Sequence, residues 1–321
     1  MNSELSQYVP SELGSPTAKR RSRIWAIMKR DKFLYLLALP GIVFMILFKY
    51  VPMWGIIIAF QNYSPYRGVL GSDWVGLEHF IRFFSNPDFM TLFRNTMAIN
   101  LMNLVFYFPL PIVVALLLNE VMSKPFKKLI QSIVYLPHFL SWVIIVGITI
   151  LVLTRTDGAV NNLLVYFGFD KIDFLTNPKL FWILLTVQSI WKEAGWGTII
   201  FLAAIAGLDT QLYEAAKMDG AKRLRQIWHI TLPGIRSVIL ILLILRIGNI
   251  MDVGFEQVFL MGNGAVSDVG EVFDTYVYRL GIQQGQFSFS TAVGLFKSVV
   301  GLVLVVIANK LAKRFGEEGV Y

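Results

Sequence analysis

Six long runs of mainly apolar residues limit what this chain can fold into. They cover about 33–60, 91–118, 129–153, 180–205, 237–261 and 289–308. A helix that crosses a bilayer needs roughly 20 such residues, because lipid offers its backbone no hydrogen-bond partners. Each run reaches that length, so the expected fold class is an all-α membrane protein with six transmembrane helices. Composition agrees. Of the 321 residues 55% are hydrophobic and 16% are charged, against about 25% charged in an ordinary soluble domain.

The remaining charges are unevenly placed. Six spans put both termini on one side. That side carries the tail 1–32 with Lys19, Arg20, Arg21, Arg23, Lys29, Arg30 and Lys32. It also carries 119–128 with Lys124, Lys127 and Lys128, the island 207–236, and a tail with Lys310, Lys313 and Arg314. The opposite loops hold fewer: Arg67, Arg82 and Arg94, then Arg155, Lys171 and Lys179, then Arg279. Cytoplasmic loops collect Lys and Arg. The expectation is a multi-pass protein of a bacterial cytoplasmic (inner) membrane with both termini and the island cytoplasmic. The net charge of +8 is then mainly a topology signal. Nucleic-acid binding would ask for one basic face on a soluble domain, and none is expected. Residues 1–32 are too long and polar for a signal-peptide n-region, so they read as a basic cytoplasmic tail before an uncleaved anchor. The transmembrane domain is placed at 33–313 and a short cytoplasmic tail at 314–321.

The island between the fourth and fifth spans has its own pattern. Ala215 and Ala216 favour helix. Asp219-Gly220 is a turn signal, since glycine accepts positive φ. Leu224, Ile227 and Trp228 follow at i, i+3, i+4 and make one apolar face, with Lys222, Arg223 and Arg225 off it. Pro233, lacking an N–H, is expected to close the segment. Two short helices with a break between them are predicted.

This run resembles the EAA loop of binding-protein-dependent ABC importer permeases. Glu214, Ala215, Ala216, Asp219, Gly220, Ala221, Ile230, Leu232 and Pro233 match that pattern at its spacing, and Ile227 stands where phenylalanine is usual. Leu-Pro-Gly at 39–41, Trp-Val-Gly-Leu at 74–77, Ala-Leu-Leu-Leu-Asn-Glu at 115–120 and Tyr-Leu-Pro-His at 135–138 extend the likeness. They are similar to a subgroup that includes polysaccharide permeases of the LplB type and the first permease subunit of alginate importers. The resemblance implies the type I ABC importer transmembrane fold with a cytoplasmic coupling helix. It implies as partners a second homologous permease, an ATPase dimer, an extracytoplasmic solute-binding protein and an oligosaccharide substrate, with membrane lipid around the spans. It also implies that Glu214, Ala215, Ala216, Asp219, Gly220, Ala221 and Pro233 couple to the ATPase. Glu214 would make a charged contact, Gly220 the bend, and the two alanines a close approach.

The residues present argue against chemistry in this chain. There is no cysteine, and His79, His138 and His229 lie far apart, so no metal site is expected. No GxxxxGK[ST] loop occurs, so no cofactor is expected here, and ATP with Mg belongs to the partner ATPase. No nucleophile–base set marks a membrane enzyme. A secondary transporter without an ATPase is the alternative of another class; such folds often show repeated halves, and no convincing repeat is visible.

Polar residues inside the spans are candidates for the substrate pathway, because charge at membrane depth is expensive. The fourth span holds Gln188, Ser189, Trp191, Lys192, Glu193 and Trp196. Gln188, Trp191 and Lys192 share a face. The fifth holds Arg246, Asn249, Asp252 and Glu256, which as a helix form one broad stripe. Rings with polar neighbours suit sugars. The resemblance to maltose-type permeases places the sugar at these two regions. Lys192 and Arg246 lean towards an acidic sugar such as a uronate oligomer from alginate or pectin, and the nearby carboxylates leave a neutral oligosaccharide open. Lys192–Glu193 could instead snorkel or pair with a span of the partner permease, and Arg246 with Asp252 or Glu256 could be a structural bridge. His138 reads as a packed or hydrogen-bonded histidine, and His229 as part of the basic loop.

Overall fold

The computed structural model describes residues 30–314, 316 and 319. Lys19, Arg20, Arg21, Arg23 and Lys29 of the basic tail, and most of 314–321, lie outside the described residues. The chain divides into two units, one ending at Ile57 and one beginning at Ile58. Helix α1, Lys32–Phe60, is long and apolar enough to cross a membrane. It carries Pro40 without interruption and widens to a π-turn at Ile46–Tyr50.

The second unit opens with a two-residue antiparallel ladder, Gln61–Asn62 against Asp73–Trp74, and the short helix α2, Glu78–Phe84. Helix α3, Phe89–Glu120, is a second spanning helix. A π-turn at Asn103–Tyr107 precedes its Pro109 and Pro111. Next come α4, Lys124–Phe139, α5, Trp142–Leu153, and the loop helix α6, Ala159–Tyr166. Helix α7, Pro178–Ala206, is the spine, with α3 and α4 packed on it. Pro178 at its first position lacks the N–H that a helix start leaves unused, and the Asn177 side chain accepts from Lys179 N at 3.0 Å. Then follow α8, Thr210–Met218, α9, Arg223–Gly234, α10, Arg236–Gly248, and α11, Phe255–Met261. The chain finishes with α12, Ser267–Gly270, α13, Phe273–Val277, and the third uninterrupted spanning helix α14, Phe287–Arg314.

Three apolar clusters hold these elements. Ile99, Val146, Phe181, Leu185, Val258 and Met261 join α3, α5, α7 and α11. Phe83, Phe273 and Phe289, with Phe89 and Phe296 beside them, make edge-to-face contacts that tie α2 and α13 to α3 and α14. Ala115, Phe201, Ile205 and Ile235 close the end near α9.

Two apolar runs that read as continuous helices are broken. Across 140–141 the chain turns by 102° between α4 and α5. Pro137 supplies no N–H to the last turn, and Ser141 starts the new helix by accepting from Ile144 N at 3.4 Å. The fifth run ends as a helix at Gly248 and resumes at Phe255. Between them Gly254 stands at φ 103, a left-handed conformation that side chains with a Cβ rarely adopt. Residues 246, 249, 252 and 256 therefore do not share one helical stripe.

Candidate functional site

The first break lies against the middle of α7. At 1.5 Å per residue α7 is about 43 Å long, and Lys192 is its middle residue, about 21 Å from either end. A break leaves carbonyl groups without helical partners, which lipid cannot satisfy. Lys192 supplies them: its Nζ donates to His138 O and to Leu140 O, both at 2.8 Å. The ammonium also sits 3.5 Å from Glu193 Oε1 and 5.5 Å from the centre of the Trp142 ring. Lys192 and Glu193, weighed from sequence as snorkelling or as pairing with the partner permease, pair with each other inside this chain. Glu193 Oε2 lies 2.8 Å from His138 Nδ1. The His138 ring in turn stacks on Trp196, centroids 4.5 Å apart and planes 7° apart. Trp196 keeps 47% of its surface exposed and Trp191 44%.

The second break is clasped the same way. Lys297, in α14, pairs with Asp252 at 2.6 Å and with Asp274 of α13. The other Asp274 oxygen accepts from Val253 N at 3.2 Å. Lys297 is 11% exposed and Asp274 18%, whereas Asp252 is 61% exposed. Asn249, Asp252, Lys297 and Ser298 line the polar part of an open groove of about 510 Å³ between α10 and α14, continued by Leu245, Leu302 and Val305. Arg246 does not bridge to Asp252 or Glu256. Its guanidinium lies 5.6 Å from the centre of the Tyr107 ring, and no carboxylate of the described residues pairs with it. Glu256 is exposed in the first turn of α11.

A buried amide chain joins the helices that follow the two breaks. Gln188 Nε2 donates to Thr149 Oγ1 at 2.8 Å, Gln257 Nε2 to Gln188 Oε1 at 3.0 Å and to Leu185 O at 2.8 Å, and Ser189 Oγ to Gln257 Oε1 at 3.1 Å. Gln188 and Lys192 thus bond inside the chain, away from the exposed Trp191. Periodicity put the three on one face and could not say what covers it. Sequence reasoning passed over Lys297, and it read His138 as packed or hydrogen-bonded without naming Glu193 as its partner. The signal for both was the one that found Lys192, an ionisable group within an apolar run.

The predicted elbow is present. Helix α8 has no buried residue, Asp219 caps its end, and Gly220 turns the chain at φ 74. Gln226 Nε2 donates to Ala221 O at 2.8 Å, and the Tyr213 and Thr231 hydroxyls, 3.0 Å apart, tie α8 to α9. Pro233 does not end α9. The helix runs through it to Gly234, and the chain bends by 58° into α10. Glu214, Ala215, Asp219, Gly220 and Pro233 are exposed, and Ala216 and Ala221 partly so. Leu224 and Trp228 of the expected apolar face are 72% and 67% exposed.

Helices long and apolar enough to cross a membrane, some of them broken, and joined to an exposed polar elbow fit a multi-pass membrane transport protein. Residues 107–317 match the family described as binding-protein-dependent transport system inner membrane component, and the chain belongs to that family. It is 57% identical over 303 residues to the Bacillus subtilis polygalacturonan/rhamnogalacturonan transport system permease protein YteP, covering 94% of each chain. It is 52% identical over 315 residues to protein LplB of the same organism, covering 98% of this chain and 99% of that one. The crystal structure of a bacterial alginate ABC transporter, in complex with an alginate pentasaccharide-bound periplasmic protein, contains a similar chain. There the TM-score is 0.84 at 41% identity, over 93% of this chain and 100% of that one. The type I importer fold expected from the island is the fold of this chain.

Proposed function

We propose that this chain is a permease subunit of an ATP-driven, binding-protein-dependent importer of oligosaccharides. It forms half of the pathway, beside a second permease, and takes its substrate from an extracytoplasmic binding protein. The observation that carries this is the exposed elbow at 210–234, a small-residue turn beside bare Leu224 and Trp228, attached directly to α7 and α10. Docked in an ATPase subunit, the elbow transmits closure of the ATPase dimer to the two helices. ATP and Mg are bound by that partner, and this chain contributes no catalysis. Both termini are cytoplasmic, following the charge distribution.

The substrate surface we assign to the first break and the groove at the second. Trp191, Trp196 and the edge of the His138–Glu193 pair offer rings and polar atoms, and Asn249 and Asp252 offer polar atoms across the groove. Sugars stack on rings through their C–H faces and hydrogen-bond through their hydroxyls. The names of YteP and the alginate transporter support acidic oligosaccharides. So does Arg246, a half-buried cation that no carboxylate among the described residues pairs with. A neutral substrate is favoured by one fact: Lys192 and Lys297 are already compensated within the chain.

The test is reconstitution with the ATPase, the second permease and the binding protein. Trigalacturonate-loaded binding protein is expected to stimulate ATP hydrolysis and sugar uptake together. Uptake by this chain without an ATPase would overturn the proposal in favour of a secondary transporter.

A further inference from the structure

A second polar cavity, sharing no lining residue with the groove at the second break, lies where the 61–84 segment meets 285–289. It has a volume of about 320 Å³, room for roughly ten waters, and is lined by Asn62, Tyr63, His79, Arg82, Gln286 and Ser288 among others. No Asp or Glu among the described residues lines it. Arg82 is its charge. Glu78 stands four residues earlier on the same helix, the spacing at which an ion pair ordinarily forms. Arg82 turns away from it. Its Nη2 donates to Gln286 Oε1 at 2.9 Å, and its guanidinium lies 4.7 Å from the centre of the Phe289 ring. Nearby arginines are neutralised, Arg67 by Asp73 and Arg279 by Glu271. Arg82 has no carboxylate among the described residues.

The other groups are held ready. Ser288 Oγ accepts from Tyr63 N at 2.9 Å, which fastens the two segments together. His79 Nε2 donates to Gln61 O at 3.0 Å, since a carbonyl can only accept, and its ring is buried. The cavity therefore presents one oriented guanidinium, with donors to spare, amid amides and hydroxyls. A planar fork of this kind matches a carboxylate. An acidic side chain of a docking protein would need the guanidinium alone. The surrounding amides and hydroxyls fit a ring that bears several hydroxyl groups beside its carboxylate.

We propose that this cavity is a uronate subsite at the mouth of the pathway, where Arg82 receives the carboxylate of an acidic oligosaccharide before it reaches the breaks. This rests on the importer proposal and on its topology, which puts loop 61–90 outside. The experiment uses the assembled complex in nanodiscs and reads Arg82 directly. Phenylglyoxal modification of Arg82, followed by peptide mass spectrometry, is expected to slow at least fivefold with trigalacturonate and not with galactotriose. Labelled trigalacturonate is expected to bind the R82Q complex roughly tenfold more weakly, the scale of one lost charge-assisted contact, and the R82K complex at a strength between the two, since lysine keeps the charge and loses the fork. Equal modification rates with and without trigalacturonate, or equal slowing by galactotriose, would overturn the proposal. Protection of Arg82 by the empty binding protein alone would also overturn it, assigning the cavity to an acidic side chain. These readouts need no transport, so they decide the matter even where uptake or ATPase coupling fails.

Discussion

Replacing Lys192 by methionine keeps the length and the apolar stem and removes the ammonium. Two carbonyl groups at the first break, His138 O and Leu140 O, then lose their donor, and Glu193 loses its nearest cation. A hydrogen bond to a charged group contributes about 1.5–3 kcal/mol. Stripping one partner from a buried ion pair costs about 3–5 kcal/mol. The two figures describe overlapping losses, so K192M is expected to destabilise by about 3–5 kcal/mol, not by their sum. K192R keeps the charge but not the point geometry and should cost less. Denaturant unfolding in detergent measures this through Trp142 and Trp196, whose rings lie against Lys192 and His138 at the break. A loss below about 1 kcal/mol would refute the clasp, because donors that matter at membrane depth cannot be removed so cheaply. A stable K192M that no longer takes up sugar would move Lys192 into the substrate pathway.

The second break yields a contrast of two carboxylates. D274N removes the partly buried charge paired with Lys297 and leaves one acceptor oxygen for Lys297 and Val253 N together, and should cost about 3 kcal/mol, whereas D252N, on an exposed side chain, should cost under about 1 kcal/mol; equal losses in the same unfolding assay would contradict the clasp. R246Q should lower trigalacturonate-stimulated ATPase activity at least fivefold and leave stimulation by a neutral oligosaccharide unchanged if one is accepted. Stimulation that falls equally for both would mean that Arg246 supports Tyr107 and not the sugar.

The sequence showed the helices better than it showed their interruptions. Run length alone located α1, α3, α7 and α14, because spanning a bilayer fixes how many apolar residues are needed. The elbow was legible too, since Asp219-Gly220 marks a turn that the backbone makes with Gly220 at positive φ. The breaks were not. Residues 129–153 and 237–261 stay apolar straight through them, and hydropathy cannot distinguish a bent run from a straight one. Pro137 and Gly254 were the visible hints, but membrane helices often tolerate both residues, as α1 does Pro40. The site was half legible. An ionisable residue in an apolar run marks a place where something must pair with it, and Lys192 was found this way. Whether the pairing is internal depends on contacts distant in sequence, such as Lys297 with Asp252 and Asp274.

The elbow carries the central claim, and the chain contains no cysteine, so one can be introduced without interference. In A216C, a thiol at the exposed elbow should cross-link to the ATPase subunit in membranes containing the whole complex, with a yield that changes on adding ATP. It should resist membrane-impermeant maleimide applied to intact cells. Labelling from outside, or no cross-link to an ATPase in a complex that still transports, would contradict the account.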